Sequence, residues 1–124
     1  MSIEGLANAM NLVGVQLKGK FNIVTFDACL MALVEVADQL TLSTNYVVVS
    51  EHSVTLDGFP YDLMLQRLIA NPSVLCGDYA HGIADDYYTY LENSSVKSHL
   101  SVSAIDEDKL KTLINAINDL SIVS

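Results

Sequence analysis

A chain of 124 residues that is 51% hydrophobic has the length of one ordinary domain and enough apolar side chains for a sizeable core, which excludes a disordered acidic tail. Fifteen acidic residues against six Lys and Arg give a net charge of −9, which excludes a nucleic-acid surface built on clustered cations and reads first as solubility. No apolar run approaches the roughly 20 residues that span a bilayer, and the N-terminal stretch lacks the basic start of a signal peptide.

In chain order, Ile3, Leu6, Ala7, Met10, Val13 and Leu17 recur at helical spacing and predict an amphipathic helix. "LKGK" at 17–20 ends it, with Gly19 as the breaker. Residues 22–26 are rich in bulky and β-branched side chains and predict a mostly buried strand. Leu30, Leu33, Val34, Ala37 and Leu40 form the next helical stripe. "YVVVS" at 46–50 is a second strand, too continuously apolar to keep one face wet. The polar "EHSVTLDGF" is a loop, and Pro60 opens a helix with Tyr61, Met64, Leu65 and Leu68 on its apolar face, stopped by "NP" at 71–72. Tyr79, Ile83, Tyr87, Tyr90 and Leu91 mark another helix, and "HLSVSAI" at 99–105 alternates as a third strand. Asp106 is placed to cap the last helix, and its Leu110, Leu113, Ile114 and Ile117 are expected to face inward.

Strands that alternate with helices predict an α/β fold: a layered αβα arrangement with a mostly parallel sheet of about three strands. No repeat, linker or low-complexity tract divides residues 1–124, so a single domain is expected. Three strands are few for a sheet covered on both faces, and the domain reads as incomplete.

Ligands and chemistry gather beyond the carboxyl ends of strands in open parallel sheets. "FDACLM" puts Asp27 and Cys29 at one such end, and "SEHSVTLDG" leaves the end of the next strand. A thiol at a helix start would gain from the positive end of the peptide dipole, which favours thiolate. The competing reading is a buried structural cysteine, because free Cys is among the most buried residue types. Cys29 and Cys76 have neither CxxC nor zinc-ligand spacing, and sequence alone does not license a disulfide between them.

The ordered set "FDACLMALVEVADQL", "YVVVSEHSVTLDGFPYDLMLQRL" and "SVSAIDEDKL" resembles the clostripain family of cysteine peptidases, over residues 21–120. The resemblance implies a partial caspase-like fold and the C-terminal, Cys-bearing part of a catalytic domain. It implies Cys29 as nucleophile and cleavage of peptide or protein substrates after Arg or Lys. Asp27 matches one carboxylate of the primary specificity pocket, and Asp57 in "LDGFPY" matches the second. A guanidinium or ammonium group entering a pocket needs fixed negative charge to offset its lost hydration, so the chemistry agrees. The alternative for Asp57 is a turn residue before Gly58.

The family's catalytic His belongs to a His-Gly motif upstream of the Cys, yet none of the 28 residues before Cys29 is a histidine. His81-Gly82 follows the cysteine inside a helical stripe and reads as an ordinary, partly exposed helix pair. His52 follows Glu51 in the loop and reads as a surface residue, and His99 begins a strand with no evident chemistry. The resemblance therefore implies a His supplied from outside this chain, by an associated His-bearing partner. The alternatives are an inactive gene fragment or a degenerate caspase-like module kept for binding. Calcium dependence occurs in the family, but no dense oxygen-ligand loop is present, so no cofactor site is assigned. No nucleic-acid or membrane partner is expected, and the resemblance implies export of a full-length parent.

Overall fold

The computed structural model describes residues 2–94 and 101–123. In chain order these form α1 (Ile3–Leu17), β1 (Phe21–Thr25), α2 (Val34–Leu40), β2 (Thr44–Ser50), α3 (Tyr61–Ala70), α4 (Cys76–Glu92), β3 (Val102–Asp106) and α5 (Glu107–Val123). The sheet order is β1-β2-β3. β1 and β2 are parallel, with Ile23 opposite Tyr46 and Thr25 opposite Val48, while β2 and β3 are antiparallel, with Val48 opposite Ala104.

The α/β class and the αβα layering are as expected, but the sheet is mixed rather than mostly parallel. The connections give the reason. One helix, α2, lies between β1 and β2 and carries the chain back to the start of the sheet. Two helices lie between β2 and β3, so the chain returns to the carboxyl end of β2 and β3 runs the other way from Val102, opposite Ser50.

β2 is the central strand, and Val47, Val48 and Val49 are wholly buried because both sheet faces are covered. Val48 packs with Phe59, Met64, Ala80, Ile83, Tyr87 and Leu91 under α3 and α4. Val47 and Val49 pack on the other face with Ala7 of α1 and Leu40 of α2. Each such side chain contributes about 1.5–3 kcal/mol of burial, which makes β2 the best-anchored element near the site.

Several boundaries differ from the sequence pattern. Lys18, not Gly19, turns left-handed (φ 57°) to close α1, and its N–H bonds back to the Gly14 and Val15 carbonyls. The stripe expected to run from Leu30 is a loop until Val34, and Leu30 and Leu33 are exposed. Its backbone has other partners: Leu30 N–H donates to His52 O (3.2 Å) and Ala32 N–H to Ser50 O (3.1 Å). Of the expected α3 face only Met64 is buried, while Tyr61, Leu65 and Leu68 remain exposed. The third strand begins at Val102, and His99 lies outside the described residues. Asp106 does cap α5, with Oδ1 accepting from the N–H groups of Asp108 (3.1 Å) and Lys109 (3.2 Å). Among the described residues no helix is long and apolar enough to cross a membrane.

Candidate active site

Because β1 and β2 are parallel, their carboxyl ends open on the same side of the sheet, and the two loops that leave them meet. The loop after β1 carries Asp27 and Cys29, both exposed. At the exit of β2 the buried Ser50 hydroxyl donates to His52 O (3.0 Å) and accepts from His52 N–H (3.1 Å), which bends the chain toward Cys29. Val54 N–H then donates to Cys29 Sγ at 3.2 Å. Exposure removes the buried structural reading of Cys29, and both cysteines are free thiols.

The helix-start argument for Cys29 does not hold. α2 begins at Val34, five positions on, and is only seven residues long, so Cys29 does not sit at its start. The group that addresses the thiol is the backbone of Val54, delivered by the neighbouring loop: its N–H donates to Sγ, and its carbonyl accepts from the thiol at 4.0 Å.

Asp27 is fixed by the same loop. Its Oδ2 accepts from the Tyr61 hydroxyl (2.7 Å) and from Phe59 N–H (3.3 Å). Donation to this carboxylate holds the Tyr61 hydroxyl above its ordinary pKa, with burial and the Asp27 charge adding to the effect. Gly58 lies directly against the carboxylate: it is buried, has φ 71°, and a Cβ there would collide with Asp27 Oδ2. The turn that ends at Gly58 is closed by Gly58 N–H to Thr55 O (2.9 Å), and exposed Asp57 projects from it. Tyr90 on α4 brings its hydroxyl to 3.5 Å from Asp57 Oδ2. Beneath the loop, the buried Tyr87 hydroxyl accepts from Thr55 N–H (3.3 Å), and its ring packs on Phe59 at 4.6 Å between centroids. Asp57 is thus both a turn residue and the neighbour of the glycine that touches Asp27.

The structure brings Asp27, Cys29 and the Asp57 turn together through the β2 exit loop. It does not bring His81 into the set. His81 is exposed on α4, and Gly82 is buried because the Arg67 side chain of α3 crosses over it on the way to Asp86 (2.7 Å). The His-Gly pair is a helix-packing feature. His52 lends its backbone to the site, and among the described residues its imidazole makes no hydrogen bond or ion pair. No group of three or more His, Cys, Asp or Glu side chains among the described residues is arranged to hold a metal ion.

Sequence reasoning missed Tyr61, Tyr90 and Val54. The two tyrosines were visible only as members of apolar stripes, because helical periodicity does not distinguish a phenol that packs from one that donates.

The chain belongs to the clostripain family of peptidases, whose family model matches residues 1–122. Among solved structures, a clostripain from Bacteroides thetaiotaomicron in complex with the peptide inhibitor BTN-VLTK-AOMK is 28% identical, with a TM-score of 0.73 over 91% of this chain and 46% of that one. A secreted C11 cysteine protease from the same organism, iotapain, is 27% identical, with a TM-score of 0.78 over 98% of this chain and 31% of that one. An inactive zymogen C11 protease from Parabacteroides distasonis is 28% identical, with a TM-score of 0.69 over 91% of this chain and 28% of that one. This chain therefore spans less than half the length of each. No curated protein matches it. The family and the caspase-like αβα fold of these relatives agree with the resemblance read from "FDACLM" onward.

Proposed function

We propose that this chain supplies the nucleophile and the specificity pocket of a cysteine endopeptidase that cuts after Arg or Lys, with the catalytic His delivered from outside it. The observation that carries the reading is the double grip on the β1 exit: Val54 N–H of the next loop on Cys29 Sγ, and Phe59 N–H with the Tyr61 hydroxyl of α3 on Asp27. A thiol and a carboxylate two positions apart are held at one strand end, as covalent attack beside a cation pocket requires. A relative bound to an inhibitor whose peptide part, VLTK, ends in lysine supports a cationic side chain before the cut.

In this reading Cys29 Sγ bonds to the scissile carbonyl carbon, and the thiol proton passes to the incoming His. The His then protonates the departing amine as the C–N bond breaks, and water hydrolyses the thioester. An unassisted thiol is only a few per cent ionised at neutral pH, and the amine leaves poorly without an acid, so the chain by itself is expected to be nearly inactive. The secreted relative supports export of the intact enzyme.

The test is hydrolysis of a small Arg or Lys amide by the 124-residue chain, alone and with a His-bearing upstream segment supplied in cis or as a second chain. Activity should appear only with the added segment, vanish in Cys29→Ala and survive in Cys76→Ala and His81→Ala. Turnover by the chain alone that is lost in His52→Ala or His81→Ala overturns the external His. Failure of every His-bearing segment to restore cleavage favours the inactive fragment or binding module.

A further inference from the structure

We propose that Tyr61 is a specificity-determining residue of this pocket, and that by holding one oxygen of Asp27 it tunes the site for lysine over arginine. The inference rests on the reading of Asp27 and Asp57 as the pocket carboxylates.

Asp27 Oδ2 accepts two hydrogen bonds, from the Tyr61 hydroxyl at 2.7 Å and from Phe59 N–H at 3.3 Å. A carboxylate oxygen has two lone-pair sites, so Oδ2 is saturated. Gly58 closes the same side, since even a Cβ there would strike that oxygen. Oδ1 takes no hydrogen bond among the described residues. An incoming cation therefore meets one free oxygen of Asp27, not two. Asp57 repeats the pattern more weakly, with the Tyr90 hydroxyl 3.5 Å from its Oδ2.

The two cations differ in what they ask of a carboxylate. A guanidinium gains most when its planar fork spans both oxygens through two parallel N–H···O bonds. That mode is closed at Asp27 while Tyr61 is in place. An ammonium is a compact point charge with three separately directed donors, and it loses nothing by taking one oxygen from each of two carboxylates. Tyr61 sits in the first turn of α3, and the phenol oxygen that reaches Asp27 is all that separates it from phenylalanine.

The experiment measures alkylation of Cys29 in the full chain by lysyl, arginyl and norleucyl chloromethyl ketones, by mass spectrometry of the peptide that bears Cys29. Iodoacetamide reports the intrinsic reactivity of the thiol. The lysyl reagent should react fastest and the norleucyl reagent slowest. In Tyr61→Phe the lysyl-to-arginyl ratio should fall by roughly 3- to 10-fold, the scale of one hydrogen bond, with the iodoacetamide rate unchanged. A change confined to folding would move all four rates together and leave the ratio alone. If both cationic reagents outrun norleucyl but their ratio is the same in Tyr61→Phe, the inference is wrong and the pocket stands. If all three ketones react equally, the pocket assignment is wrong and the inference goes with it.

Discussion

At Gly58 a single hydrogen atom decides whether Asp27 keeps its place. The residue has φ 71°, where L side chains are strained, and its missing Cβ would occupy the space of Asp27 Oδ2. Gly58→Ala therefore carries a left-handed penalty of about 1 kcal/mol and also displaces the carboxylate. It should lower the melting temperature by several degrees and abolish any preference for cationic ketones, while iodoacetamide still labels Cys29. A variant that keeps the cation preference would show that Asp27 does not depend on this contact. Charge removal is the complementary test. In the completed enzyme Asp57→Asn should weaken cleavage after Arg and Lys by roughly 10- to 1000-fold, the loss of one charged contact of about 1.5–4 kcal/mol. Asp27→Asn should act in the same direction. Profiling with peptides varied before the cut decides it, and an unchanged preference in both variants removes the pocket assignment. Asp27, Cys29 and Asp57 can be singled out in the sequence because the strand-end rule and the family resemblance both point to them, and the structure gathers their loops at one end of the sheet. What holds them was not legible. Val54 acts through its backbone, and Tyr61 acts across a separation of 34 positions from Asp27.

Among the elements, β2 was the easiest to read, because an unbroken "YVVVS" has no polar face to show. α2 was misplaced by several residues because long-range bonds outbid local periodicity: the N–H groups of Leu30 and Ala32 go to carbonyls at the exit of β2. The direction of β3 follows from the two helical stripes before it, a connection that the strand-helix alternation alone hides. The first turn of α5 carries the least expected group. Glu107 reads as an ordinary first-turn acid, yet it is wholly buried and its carboxylate oxygens have no hydrogen-bond partner among the described residues. Burial pushes its carboxyl up from 4.5 to about 7, against the pull of Lys20 and Lys111 and with Asp38 and Asp106 adding to the rise. A pKa raised on folding means that the native state holds the proton more tightly than the unfolded chain does. The stabilisation is then complete below about pH 4.5 and is lost as pH rises to about 7, a difference of about 3 kcal/mol. Urea midpoints should therefore fall between pH 5 and pH 8, and Glu107→Gln, which cannot ionise, should flatten that fall. An equal slope in both proteins would mean that Glu107 titrates in the fold as it does in the unfolded chain.

For the whole molecule the open question is what covers its unpaired surfaces. β1 is an edge strand with no fully buried residue, and among the described residues its outer edge pairs with nothing. Leu12, Val15 and Leu17 of α1 are 71%, 78% and 64% exposed, and Leu113, Ile117 and Leu120 form a second exposed apolar row on α5. An open strand edge and exposed apolar helix faces each favour pairing with another chain. The net charge of −9 opposes contact between two copies. These effects respond differently to salt, because screening weakens charge repulsion beyond about 10 Å at 0.1 M and leaves strand pairing intact. The isolated chain should therefore elute larger as salt rises from about 20 mM to 500 mM, and as its concentration rises. Hydrogen exchange at Ile23, Val24 and Thr25 should be fast at low salt and low concentration and should slow as the larger species forms. A His-bearing segment that restores cleavage should compete with self-association if it uses the same edge, returning the elution to a single defined complex. A monomer at every salt concentration, with strong protection of those three amides throughout, would mean that β1 needs no partner and that the domain is complete as it stands.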